Sequence, residues 1–450
     1  MTDHTAPIVI STDTTSLVLG TGQHNQLLQY YYGMRLQNPA DVIVPDNANT
    51  VQQGYPAIST SPNNERGQEF SPAYSAFGAA DNTGALRVTH ADGGMSLELV
   101  YDTHKTVTED ANRQVTTITL KDKIYPFRVE LNYRAYQKED VIETWASFTH
   151  NEESAVVLNE FPSAELSFSN LHSDYYLTYF HGLWEREHSL VEEKLNLGRK
   201  VLENRFGVWS SFGFNPSFML SLNEPATEAC GEVVAGALAW TGAWKITFNY
   251  DHGKLFHDTA ERRHLSITAG QNDFAGDYHL DPGNAFETPK FILTYTQEGK
   301  GEASRNLHRW GRKYALRGGE EERPILLNSW EGAYFSFDEE KLLSMMDGVA
   351  EMGGEMFVLD DGWFGNGDCA RNSSDAGLGD WQVNREKLPN GLSFLADEAE
   401  RRGLKFGIWV EPEMVNPQSE LFKAHPEWAI QQPNREKIVY RTQLILDLAN

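Results

Sequence analysis

The stretch Phe357-Val358-Leu359-Asp360-Asp361-Gly362-Trp363-Phe364 is an apolar run that ends abruptly in two adjacent carboxylates, a glycine and a tryptophan. It reads as a strand delivering a polar site at its C-terminal end, which is where a parallel α/β barrel keeps its chemistry. The same punctuation returns downstream, where Phe406-Gly407-Ile408-Trp409-Val410 runs into Glu411-Pro412-Glu413. Around these two runs the pattern alternates. Pro324 to Trp330 reads as a short strand, and Asp338 as the cap of a helix through Leu342, Met345, Met346 and Val349 to Gly353-Gly354. Met356 to Leu359 is a strand, Leu392 to Arg402 a helix and Lys405 to Val410 a strand. This β-α-β-α-β order makes parallel strands joined by crossover helices. A closed (β/α)8 barrel takes about 250 residues, so residues 324–450 are expected to form the first part of a TIM barrel, incomplete in this chain.

Upstream the period changes to two. Leu97 to Tyr101, Thr116 to Leu120 and Phe127 to Tyr133 are short alternating runs separated by turn residues, each with one buried and one wet face. Such runs assemble into a large antiparallel β-sandwich over residues 1–300. The segment 301–323 reads as a connecting helix, Glu302 to Leu316, stopped by Gly318-Gly319. The fold class is therefore multidomain, β plus α/β.

A formal charge of −26 would repel nucleic-acid phosphates and anionic lipid surfaces, whereas a neutral substrate is unaffected. No apolar stretch reaches the length of a membrane span. Met1 to Thr5 lacks the basic start of a signal peptide, and Cys230 and Cys369 are too few for a disulfide framework. These features predict a soluble, cytoplasmic protein with no nucleic-acid or membrane partner. The fourteen histidines include no His-Glu-x-x-His helix, and His181 and His188 lack that spacing. The loop Gly362 to Asp368 has no phosphate-cradling ending, and Asp368, Asp375 and Asp380 are irregularly spaced for calcium. No metal and no cofactor are expected.

Paired carboxylates beside an indole suit a sugar, whose hydroxyls donate to forked acceptors and whose C–H face packs on an aromatic ring. Adjacent strand residues point to opposite faces, so Asp360 and Asp361 aim together only if the strand ends between them, and Gly362 permits that turn. Glu411 and Glu413 share a face. They form a polar wall, or one of them pairs with a base such as Arg441 and supports the loop. Trp409 either stacks on substrate or belongs to the core, and the same choice applies to Trp330 and Trp363. Asn328, at the end of a strand, reads as a group that fixes its neighbours.

Several segments together resemble glycoside hydrolase family 36, the bacterial retaining α-galactosidases. They are Tyr31-Tyr32-Gly33, Trp184-Glu185-Arg186-Glu187, Asn215-Pro216, Asn328-Ser329-Trp330-Glu331, Leu359 to Phe364, Gly379-Asp380-Trp381, Trp409 to Val415 and Arg441-Thr442-Gln443, in family order. The resemblance implies an N-terminal β-supersandwich, a (β/α)8 catalytic barrel and a small C-terminal β-domain. It implies hydrolysis of terminal non-reducing α-D-galactose from melibiose and raffinose by retaining double displacement, without a cofactor. Asp360, Asp361, Trp409 and Arg441 fall where the family holds galactose, and Trp330, Trp363 and Glu411 are further candidates. The nucleophile and acid/base Asp fall beyond residue 450, so no catalytic residue is assigned within this chain. Family members often form tetramers in which a neighbour's sandwich loops reach the active-site mouth, and Gln29 to Gly33 and Pro72 to Tyr74 resemble those loops. Ser75 to Asp81 departs from the family pattern there. Two other activities share the same strand signature: a galactosyl transferase of the raffinose-synthase type, and a non-catalytic galactoside-binding fragment.

Overall fold

The computed structural model describes residues 6–22, 24–38, 49–50, 69–78, 84–170, 174–252 and 263–449. Met1 to Thr5 and the departing residues Ala79 to Asp81 lie outside them. The chain divides into two units, residues 1–320 and 321–450.

The first unit is β-rich and built from several sheets. Its largest sheet runs in the order Ser189–Lys194, Tyr175–Gly182, Gly213–Leu222, Val233–Ala239, Lys290–Thr296, Val141–His150, Phe127–Tyr136, Arg113–Asp122 and Leu99–Thr108. Adjacent strands are antiparallel, as in Val141 opposite Tyr136 and Val233 opposite Thr296. A four-stranded sheet, Ala164–Asn170, Arg263–Gln271, Trp244–His252 and Gly198–Asn204, shares its core. The rings of Phe218 and Phe248, one from each sheet, meet edge to face at 4.9 Å. Phe127, Phe148, Trp244 and Phe248 are fully buried, each contributing roughly 2–3 kcal/mol by leaving water.

The segment read as a connector packs on this first unit. Its helix spans Gly299–Trp310 and continues as a wider π-helical turn, Gly311–Ala315. Ala303 and Leu307 pack with Val233 and Ala235, while Trp310 and Tyr314 meet Tyr136. The helix begins before Glu302 because the Thr227 to Gly231 turn accepts its first amides: Gly299 N–H donates to Gly231, Lys300 to Thr227 and Gly301 to Glu228. That cap comes from a distant part of the chain.

One buried histidine gives this unit an acid sensitivity. His264 is 2% exposed, with Nε2 2.8 Å from the Ser71 hydroxyl. Burial pushes its pKa down to about 4 from 6.5. The unfolded chain therefore binds more protons than the folded one between those values. The contribution is fully present above pH 6.5 and is lost as pH falls toward 4. From pH 7 to pH 5 the loss is about 2 kcal/mol. Urea unfolding of His264→Gln should show a pH 7 to pH 5 stability difference smaller by that amount; an unchanged difference would place the acid sensitivity elsewhere.

The second unit holds three parallel strands, Leu326–Asn328, Met356–Leu359 and Lys405–Ile408, with Phe357 opposite Leu327 and Phe406. The helices between them are Glu339–Glu351 and Gly391–Arg401. Asp338 caps the first, accepting from Lys341 N–H at 2.9 Å. Leu342, Met346 and Val349 recur at helical spacing and are buried with Leu395, Ala399, Phe357 and Leu359. The first strand is shorter than expected, because Trp330 already begins a helical turn, Trp330–Ala333. A small antiparallel pair, Met414–Val415 against Leu444–Ile445, closes over Ala429. Among the described residues no helix is long and apolar enough to cross a membrane.

Candidate functional site

The parallel strands end together, and the loops at their C-terminal ends build one pocket of about 570 Å³. The middle strand stops at Leu359, and Gly362 takes φ +105°, a left-handed turn that a side chain would strain. Asp360 and Asp361 therefore both line the pocket. Trp330 enters from the loop after the first strand, Trp409, Glu411 and Glu413 from the loop after the third, and Arg441 from the turn just before Leu444–Ile445.

The two aspartates are held differently. Asp360 accepts from Asn328 Nδ2 at 2.6 Å and from the Asp361 N–H at 2.7 Å. Asp361 is 6% exposed and takes a two-pronged bond from Arg371, Nε to Oδ1 at 2.9 Å and Nη2 to Oδ2 at 2.8 Å. A carboxylate offers about four acceptor positions. These bonds occupy two on each aspartate, leaving the others for donors in the pocket.

Arg371 is fully buried and was not legible as a site residue. A buried carboxylate requires a nearby cation, and Arg371, Arg385 and Lys387 are the bases downstream in the same loop. That requirement narrows the field to three without choosing among them. Lys387 serves the backbone instead. Its Nζ donates to the carbonyls of Phe335 and Gly362, each at 2.9 Å, and of Arg371 at 3.2 Å. Burial lowers its pKa, opposed by the Asp361 charge.

Trp409 is half-buried at the rim of the core, and its carbonyl accepts from Trp363 Nε1 at 2.9 Å. Trp330 is braced edge-on by Phe335 at 5.1 Å. Trp363 is 4% exposed, packs among Phe364 and Trp381, and does not line the pocket. Its indole N–H is used internally, so its place in the motif reflects packing. Among the described residues no ion pair within 4 Å joins Arg441 to Glu411 or Glu413. Burial raises the Glu411 pKa and Glu413 adds to the effect, while Arg441 and Arg371 oppose it. Asp380 is buried and caps a short helix, accepting from the N–H groups of Glu420 at 3.0 Å and Leu421 at 3.2 Å. No three His, Cys, Asp or Glu side chains among the described residues gather as metal ligands.

Arg441 is presented at the tip of a two-residue turn. Tyr440 and Gln443 exchange both backbone bonds at 2.9 Å, and the residues between them, Arg441 and Thr442, have φ +48° and +64°. Such turns favour Asn-Gly, and a left-handed non-glycine residue costs roughly 1–2 kcal/mol. Both residues therefore hold a left-handed backbone against their own preference. Arg441→Gly should raise stability by up to about 1 kcal/mol while abolishing the guanidinium's contribution to ligand binding. Thermal unfolding alongside ligand titration checks this; a lowered melting point with unchanged binding would contradict it.

A family model described as Melibiase matches residues 285–450, and one described as Glycosyl hydrolase family 36 N-terminal domain matches residues 25–259. Alpha-galactosidase AgaA of Geobacillus stearothermophilus is 36% identical over 391 residues, covering 83% of this chain and 51% of that protein. Alpha-galactosidase Mel36A of Lactobacillus acidophilus is 32% identical over 392 residues, with the same coverage. The AgaA crystal structure aligns with a TM-score of 0.87 at 31% identity, over 99% of this chain and 62% of that one. Substituted forms of AgaA in complex with raffinose and with stachyose align equally well, at 30% identity. The chain spans about half the length of these curated relatives. With more than half of its residues matched by the N-terminal domain model and an alignment to AgaA running through both units, the chain belongs to glycosyl hydrolase family 36.

Proposed function

We propose that the protein is an α-galactosidase that removes terminal non-reducing α-D-galactose from oligosaccharides such as melibiose and raffinose. One observation carries this reading: Asp360, Asp361, Trp330, Trp409 and Arg441 face a single pocket at the C-terminal ends of parallel strands in a family 36 chain. In this reading Asp360 and Asp361 accept from galactose hydroxyls, Arg441 donates, and Trp409 packs on the sugar's C–H face, with Trp330 and Glu411 completing the wall. Retention needs two carboxyl groups about 5–5.5 Å apart, one to attack and one to protonate the leaving oxygen. The family resemblance assigns both to aspartates after residue 450, in a (β/α)8 barrel that begins with these three strands. The bound raffinose and stachyose of the AgaA structures support oligosaccharides as substrates. Exposed Trp184, Phe206, Val208 and Trp209 in the first unit are consistent with a homotetramer, and two free cysteines with the cytoplasm.

The test is p-nitrophenol release from its α-galactoside, with the β-anomer as control. This chain alone should bind galactose without turning the substrate over. Turnover by this chain that is abolished in an Asp361→Asn form shown by circular dichroism to be folded would move the nucleophile and acid to Asp360, Asp361, Glu411 and Glu413. In the whole protein, galactosyl transfer to sucrose in preference to water would overturn hydrolysis in favour of a raffinose-synthase-type transferase.

A further inference from the structure

Behind the pocket, one side chain ties together the two sides that face the sugar. We infer that Arg371 is a positioning residue that sets the distance between the Asp360–Asp361 carboxylates and Arg441, an inference that rests on the galactose site proposed above. Its guanidinium is fully buried and all three nitrogens are engaged. Nε and Nη2 grip Asp361 at 2.9 and 2.8 Å. Nη1 donates to the carbonyls of Ser374 at 2.8 Å and Ala376 at 2.9 Å, and reaches Asn416 Oδ1 at 3.5 Å.

The network continues from there to the strained turn. Asn416 is also fully buried, and its Nδ2 donates to the carbonyl of Thr442 at 3.2 Å. The Thr442 hydroxyl, with one proton to donate, lies 3.2 Å from the Ser374 carbonyl and 3.1 Å from Asp375 Oδ1, and also faces the Arg441 carbonyl. Thr442 is the second left-handed residue of the turn that carries Arg441. At the other end, the Asp361 N–H donates to Asp360. Hydrogen bonds therefore run from Asp360 through Asp361 and Arg371 to the Ser374 carbonyl, which lies against the Thr442 hydroxyl and Asn416 Nδ2 beside Arg441. The planar fork of Arg371 is the middle of that run, while Asn416 Oδ1 accepts chiefly from the Leu378 N–H at 2.8 Å. A lysine there would keep the charge and lose the geometry, because an ammonium cannot make two parallel bonds to a carboxylate while holding two carbonyls behind it.

The test is galactose titration of the whole 450-residue chain and its variants, with folding checked by circular dichroism. Arg371→Lys should fold and bind galactose at least tenfold more weakly. Should Arg371→Lys not fold, Asn416→Ala decides, since it weakens the network past Arg371 and leaves the Asp361 ion pair whole. It should weaken binding severalfold in the parent chain and have no effect in an Arg441→Ala background, where there is no guanidinium left to position. A purely structural role predicts the same loss in both backgrounds, and that result would overturn the proposal. So would unchanged affinity in a folded Arg371→Lys. Absence of galactose binding by the unsubstituted chain would instead overturn the assignment of the site itself.

Discussion

Asp361→Asn is expected to destabilise the second unit by about 3–5 kcal/mol, the usual cost of removing one partner from a buried ion pair. The size reflects Arg371, which has no exposure and, among the described residues, no other anion within bonding reach. Asparagine accepts one of the two prongs and leaves the guanidinium charge uncompensated in a site that water does not reach. Urea unfolding should show a lower midpoint with an unchanged slope. An unchanged midpoint would mean that the pair is solvated and that Asp361 is free to act alone.

The neighbouring substitution should behave in the opposite way. Asp360→Asn places an amide where two donors already point, Asn328 Nδ2 and the Asp361 N–H. One of those bonds is lost, at about 1 kcal/mol of stability. Its larger effect is on ligand: losing charge-assisted acceptance from sugar hydroxyls costs about 1.5–3 kcal/mol, on the order of 10- to 150-fold in affinity. Two adjacent aspartates thus separate into one whose loss is felt mainly as stability and one whose loss is felt mainly as binding. Equal effects at both positions in both measurements would contradict the division of labour between Arg371 and the pocket.

Much of this arrangement was legible in the sequence because it depends on local rules. The apolar run to Leu359 ends where the carboxylates begin, and Gly362 supplies the turn that lets both aim into one pocket. Asp338 and the Leu342, Met346, Val349 spacing specify a helix without outside help. What escaped depends on contacts distant in sequence. Arg371 lies among serines, asparagines and aspartates that read as a solvated loop, and only the folded chain shows it sealed beneath Asp361. Trp363 comes directly after the motif's glycine and so looked like a ligand-facing ring, yet its N–H is satisfied by a carbonyl 46 residues away. The early start of the Gly299–Trp310 helix has the same origin, a backbone cap supplied by the Thr227 to Gly231 turn. The left-handed Arg441-Thr442 tip runs against the residues' own preferences, and neither residue type announces it.

Tryptophan fluorescence during galactose titration tests the central claim most directly, because Trp330 and Trp409 line the pocket. The chain should give a saturable change with galactose, shifted to at least tenfold higher concentration in Asp360→Asn. No saturable response, or an identical response from Asp360→Asn, would contradict the assignment of this pocket as the galactose site.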